Sequence, residues 1–127
     1  MEYNLVTTDA RLILVVDDDS EIRKIICETL ELNGHTAIPA GNCGHAIKIF
    51  EEKQKQIALL ITDIVMPRFS GRDLAKMLSR QCPSLQVLFI SGYTYCKAED
   101  DPPNSRFLHK PFKAHALLDE VKIMLAQ

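Results

Sequence analysis

Ile57-Ala58-Leu59-Leu60-Ile61-Thr62-Asp63 is an apolar run of strand length that ends on a carboxylate. It shows no alternation of apolar and polar residues, the pattern of a strand covered on both faces. Leu12-Ile13-Leu14-Val15-Val16 repeats the pattern and runs into Asp17-Asp18-Asp19. A third apolar stretch, Phe107-Leu108, leads to Lys110-Pro111-Phe112. Three segments thus bring carboxylates and one amine to the ends of buried strands. Crowded carboxylates repel one another and require a cation, and hard oxygen donors favour magnesium. A metal-dependent phosphoryl site is the chemistry this pattern predicts.

The chain on either side alternates in period. Ser20 or Asp19 can cap a helix carrying Ile22, Ile25, Ile26 and Leu30 at helical spacing, and Gly34 stops it. Thr36–Ala40 reads as a short strand whose Pro39 suits a sheet edge. Asn42 caps a second helix with Ala46, Ile47 and Phe50 inward. A loop over 65–70 precedes a helix over Gly71–Arg80, with Leu74, Met77 and Leu78 inward, and Pro83 breaks the chain before strand Leu85–Ile90. Arg106–Leu108 is a short fifth strand. A last helix over Lys113–Leu125 puts Leu117, Leu118, Val121, Met124 and Leu125 on one face. Strand alternating with helix predicts an α/β domain, a central parallel sheet with helices on both faces. Sites in such sheets lie at the carboxyl ends of the strands. Asp17, Asp18, Asp63, Ser91 and Lys110 all fall there.

A length of 127 residues suits one domain, expected over 11–127 behind a polar lead-in over 1–10. A formal net charge of -2 gives no pull toward nucleic acid or an anionic membrane. No basic region precedes an apolar block at the N-terminus, and no apolar run approaches the roughly 20 residues of a membrane helix. Cys27, Cys43, Cys82 and Cys96 match no zinc or redox spacing, and Cys27 reads as a small buried hydrophobe. A reduced, cytoplasmic chain is expected. His35, His45, His109 and His115 are scattered and suggest no metal site. Arg68, Arg72, Lys76 and Arg80 recur every four residues, a stripe expected to be a solvated helix face rather than a partner patch.

Asp17-Asp18, Asp63, Ser91 and Lys110-Pro111 together resemble the receiver domain of two-component response regulators, over Leu12 to Leu125. The stretch Asp63-Ile64-Val65-Met66-Pro67-Arg68-Phe69-Ser70-Gly71 fits that family's acceptor loop. The resemblance implies a flavodoxin-like, doubly wound (βα)5 three-layer sandwich with strand order 2-1-3-4-5. It implies that Asp63 is the phosphoacceptor, served by a histidine kinase or a histidine phosphotransfer domain. Asp18, Asp63 and the main-chain carbonyl of Val65 would ligate Mg2+, with Asp17 acting through water. Lys110 would pair with the acceptor and then with its phosphoryl oxygens. Ser91 would hydrogen-bond the phosphoryl group, and Phe107 is the aromatic that turns inward when that loop moves. The Lys110–Pro111 peptide is expected to be cis. The phosphodonor would dock on α-helical Glu21, Ile22 and Ile25 and on Pro111-Phe112. Such a chain is a signalling phosphoacceptor rather than an enzyme with a separate substrate. It would be a monomer or weak dimer that neither enters membranes nor binds nucleic acid directly.

The physical chemistry agrees with these roles. Aspartate is a weak nucleophile, so positioning and charge neutralisation must supply the catalysis. Phosphorylation then places close to -2 charge at one point, enough to rebalance a two-state loop.

Two features depart from the family pattern. Glu99-Asp100-Asp101-Pro102-Pro103 is poor helix sequence where receivers carry a full fourth helix, so a short, irregular or mobile helix is expected. Ser91-Gly92-Tyr93-Thr94 is more similar to receivers attached to hybrid histidine kinases than to those of transcription factors. Val65 and Tyr93 are expected to shield an acyl phosphate from water and lengthen its life. Two alternatives stand beside the receiver. One is a haloacid-dehalogenase-type phosphatase with Asp17 as nucleophile, suggested by Asp17-x-Asp19 but not by Glu21 two positions later. The other is a receiver-shaped scaffold without phosphorylation.

Overall fold

The computed structural model describes residues 11–92 and 98–126. Five strands, β1 (Leu12–Val16), β2 (Ala37–Ala40), β3 (Ile57–Asp63), β4 (Gln86–Ser91) and β5 (Ser105–His109), form one sheet. Its order is β2-β1-β3-β4-β5 and every neighbouring pair is parallel. Four helices connect or follow them: α1 (Ser20–Leu32), α2 (Cys43–Lys53), α3 (Gly71–Gln81) and α4 (Ala114–Leu125). The doubly wound order is the expected one. Pro39, which has no N–H to donate, sits on the edge strand β2 opposite Val15.

Successive residues of a strand point to opposite faces, so a bare apolar run feeds two cores at once. Leu14, Val16, Leu60, Val87 and Phe89 pack against Ala46, Ile49 and Phe50 of α2 and Leu74, Ala75 and Leu78 of α3. Ile13, Val15, Leu59, Ile61, Leu88 and Ile90 pack against Ile26 and Leu30 of α1 and Leu117, Val121 and Met124 of α4. Each such Val, Leu, Ile, Phe or Met side chain contributes about 1.5–3 kcal/mol on burial. Cys27 and Met77 are only half-buried, because both lie at the flank of their helix's apolar stripe. Ile25 is 59% exposed.

Three helices start on side chains that accept orphan backbone N–H groups. Asp19 accepts from Glu21 and Ile22, Asn42 from His45, and Ser70 from Asp73. Asp19 is thus the cap of α1. Asp63 and Ser91 remain within their strands, paired with Ile90 and His109, rather than in the loops beyond.

Between β4 and β5 the described residues contain no helix. Residues 98–101 close a turn: Asp101 N donates to Ala98 O (3.1 Å) and Ala98 N donates to Asp101 Oδ2 (2.9 Å). This segment corrects the solvated-stripe expectation for α3. Arg72 Nε donates to the fully buried carboxylate of Asp101 (3.1 Å), and its guanidinium lies over the Phe89 ring, 6.0 Å from the centroid. Lys76 Nζ donates to Asp100 (2.8 Å). Two cations of α3 thus fasten the turn ahead of Pro102-Pro103 to the body of the domain.

Candidate functional site

Asp17 follows β1 at the point where its chain leaves the sheet. Its N–H donates to Ala40 O on β2 (3.3 Å). Its carboxylate has no solvent exposure and accepts from Asp19 N (2.9 Å) and from Lys110 Nζ (3.1 Å). Asp63 closes β3 and is 9% exposed. Its carboxylate accepts from Lys110 Nζ (3.0 Å) and from Val65 N (3.2 Å). Lys110 follows β5, and its ammonium bridges the two carboxylates from separate strands. The backbone sets its place: Lys110 N donates to Ser91 O (2.7 Å), and the Lys110–Pro111 peptide is cis.

Burial pushes the Asp17 carboxyl above its ordinary range, against the bonds from Asp19 and Lys110 that favour its ionised form. Burial alone would lower the Lys110 ammonium, but its bonds to Asp63 and Asp17 outweigh that and hold it above its ordinary value. Lysine therefore stays charged, and an ionised Asp17 is costly without more positive charge nearby.

Asp17, Asp18 and Asp63 each present an oxygen within 4.8 Å of the others. One ammonium against three carboxylates leaves two negative charges in the pocket. An all-oxygen donor set with that deficit suits a hard divalent cation such as magnesium. Of the two candidate nucleophiles, Asp17 has no side-chain exposure and Asp63 has 13%, which favours Asp63 over the phosphatase alternative.

The loop behind Asp63 is shaped by contact with backbone. A Cβ on Gly71 would sit 1.9 Å from Asp63 O, and Gly71 N donates to Ile64 O (2.8 Å). Helix α3 thus begins directly against the residue that ends β3. Arg68 adopts a left-handed conformation (φ 71°) in the turn between them.

The remaining predicted residues divide by position. Ser91 ends β4 at 3% exposure, beside Asp63 in the sheet. Val65 stands 56% exposed next to Asp63. Phe107 lies mid-strand on β5, opposite Phe89, half-buried against the core beneath α2 and α3. Ile22, Ile25, Pro111 and Phe112 line a cavity of about 560 Å³ together with Ile26, Gly92 and Lys110. Glu21 is exposed on α1 and outside that lining. Tyr93 lies outside the described residues.

Sequence reading missed one pairing and one participant. The second partner of Lys110, Asp17, could not be anticipated from spacing alone, since the two are joined only through the sheet. Arg23 of α1 donates through Nη1 to the main-chain carbonyl of Asp17 (2.7 Å). An arginine in the helix that follows the acidic cluster was the only signal for it.

No helix among the described residues is long and apolar enough to cross a membrane. A family model of the response regulator receiver domain matches residues 13–122. The response regulator receiver protein CpdR of Brucella abortus is 32% identical over 116 residues, which is 89% of this chain and 95% of CpdR. The sensor kinase CckA of the same organism is 31% identical over 116 residues, 89% of this chain but 12% of CckA. Among solved structures, the receiver domain of the hybrid histidine kinase CckA superposes with a TM-score of 0.80 at 32% identity, covering 90% of this chain and 98% of that one. The chemotaxis protein CheY4 of Vibrio cholerae reaches a TM-score of 0.82 at 22% identity, over 91% of this chain and 98% of that one, a likeness of fold. Sequence likeness across nearly the whole domain and the same strand order lead to one conclusion: the chain belongs to the response regulator receiver domain family of two-component signalling.

Proposed function

We propose that Asp63 accepts a phosphoryl group from a phosphohistidine of a histidine kinase or a histidine phosphotransfer domain. The observation that carries this reading is the Lys110 ammonium held between Asp63 (3.0 Å) and the buried Asp17 (3.1 Å). An Asp63 oxygen attacks phosphorus, the P–N bond breaks, and the imidazole leaves as the P–O bond forms. Lys110 stays protonated throughout and offsets negative charge on the transferring oxygens. Val65 N, which donates to Asp63 Oδ1 (3.2 Å), orients the nucleophile. Ser91 offers its hydroxyl to the phosphoryl group and draws its loop inward, and Phe107 turns inward with it.

Asp17, Asp18, Asp63 and the Val65 carbonyl are the residues that would hold Mg2+. When bound, the ion neutralises the carboxylates and the phosphoryl oxygens as a Lewis acid. The chain's own part is to crowd those donors at the carboxyl ends of β1 and β3.

The apolar cavity between α1 and Pro111-Phe112 opens beside Lys110 and Gly92. It is the surface we assign to the phosphodonor, anchored by the exposed Ile25. The chain acts by binding partners in the cytoplasm, as a monomer or weak dimer, and turns over no substrate besides its own phosphoryl group.

Mass spectrometry after incubation with acetyl phosphate and magnesium tests this function. One phosphoryl adduct is expected in the wild type, absent in Asp63→Asn and absent without magnesium. An adduct of equal yield in Asp63→Asn would move the acceptor elsewhere. No adduct with any phosphodonor would leave a scaffold.

A further inference from the structure

Asp18 is the exposed member of the carboxylate cluster, and nothing among the described residues donates to its carboxylate. Asp17 and Asp63, by contrast, are each held by a lysine and a backbone N–H. Only the backbone can therefore aim Asp18 at the other two. The peptide unit joining Asp17 to Asp18 is planar, so fixing the Asp17 carbonyl fixes the Asp18 N–H and the direction in which Asp18 leaves the chain. Arg23 Nη1 donates to that carbonyl at 2.7 Å.

The reach of Arg23 follows from the geometry of α1. Arg23 N donates to Asp19 O (3.0 Å), which places it one turn inside the helix. Side chains on a helix lean toward its N-terminus, so a long arginine there extends back over the acidic loop. A cation near the positive end of a helix gains nothing from the helix dipole. Its position is explained by the carbonyl it meets, not by helix stability.

Gly41, after β2, leaves the space the guanidinium needs. A Cβ on Gly41 would lie 3.0 Å from Arg23 Nη1 and 3.4 Å from its Cζ. The φ of Gly41 does not demand glycine, and the three atoms nearest to such a Cβ all belong to the Arg23 guanidinium.

We propose that Arg23 is a positioning residue for the cation site, with Gly41 as its seat. It locks the Asp17–Asp18 peptide so that Asp18 faces Asp17 and Asp63. This rests on the magnesium-dependent reading of the site. Its role is distinct from that of Lys110, since Arg23 touches a main-chain carbonyl and, among the described residues, no carboxylate.

The test is the magnesium dissociation constant, measured by isothermal titration calorimetry on wild type, Arg23→Ala, Arg23→Lys, Gly41→Ala and the double variant Arg23→Ala/Gly41→Ala. Melting temperature in EDTA is measured in parallel. Losing a group that orients a metal ligand costs about 10–100-fold in affinity. Arg23→Ala should weaken magnesium by about tenfold or more, and Arg23→Lys should recover part of that loss. Gly41→Ala should weaken magnesium in the wild-type background and have no further effect once Arg23 is gone. That non-additivity is the mark of the two residues acting through one contact. If Arg23→Ala fails to fold, Arg23→Lys and Gly41→Ala still decide the matter. Wild-type affinity in Arg23→Ala, or in both Arg23→Lys and Gly41→Ala, would overturn the inference while leaving the site intact. So would an undiminished Gly41→Ala effect in the double variant. A wild type that binds no magnesium would overturn the site reading itself and this inference with it.

Discussion

Two residues carry more of the site than their size suggests. Gly71 sits where a Cβ would meet the backbone oxygen of Asp63 at 1.9 Å, and backbone cannot swing aside as a side chain can. Gly71→Ala should cost about 1–3 kcal/mol in urea unfolding, and it should lower the acetyl phosphate reaction by shifting Asp63. Asp17 is the second. Burial raises its carboxyl in the folded state, so the native chain holds that proton to higher pH than the unfolded one. Stability from this group is therefore present in acid and is lost as pH rises from the ordinary carboxylate range through the raised value. Asp17→Asn removes that loss. In EDTA, the melting temperature of Asp17→Asn relative to wild type should climb as pH rises upward from the ordinary carboxylate range. A constant difference across that window would show that the buried carboxylate costs nothing. Asp63, Lys110 and Asp17 were legible as residues because their chemistry marks strand ends. The ammonium shared between two strands was not, because Asp17 and Lys110 meet only through the sheet.

Among the elements, the described residues between β4 and β5 are held by side chains rather than by a helix. They form no helix, and α3 holds them by Arg72–Asp101 and Lys76–Asp100. The two pairs should differ in weight. The side chain of Asp101 is fully buried and also accepts from Ala98 N, so Asp101→Asn leaves Arg72 poorly matched. A loss of about 1–3 kcal/mol is expected. Lys76 and Asp100 meet in solvent, where such pairs contribute little. Asp100→Asn should leave the urea midpoint unchanged. Hydrogen exchange over residues 98–104 should accelerate in Asp101→Asn and not in Asp100→Asn. Equal behaviour of the two variants would refute the ranking. The prolines pointed to irregular chain, and the described residues of this segment form no helix. The fastening did not show, because the four-residue spacing of Arg72 and Lys76 reads the same whether the stripe faces water or a neighbouring acidic turn.

For the whole molecule, one run of β3 serves both cores. Leu60 faces α2 and α3, and Ile61 faces α1 and α4, each with no exposure. Leu60→Ala and Ile61→Ala should each cost about 2–5 kcal/mol, with a single cooperative urea transition in both. A selective loss of one helical layer, seen as two transitions, would mean that the layers are not one unit. The sequence by itself determined the class of fold, the five strands and the residue types of the site. Unbroken apolar runs can only be buried on both faces, and acidic or basic residues at their ends must then gather along one edge. Strand order came with the family resemblance, since no local pattern encodes which parallel strands are neighbours. Tertiary structure alone decided who partners whom: Lys110 between Asp17 and Asp63, Arg23 on the Asp17 carbonyl, Asp101 under Arg72. Such pairs depend on ångström-scale distances between segments far apart in sequence. Those distances are set by the packing of the two cores, not by the residues that meet.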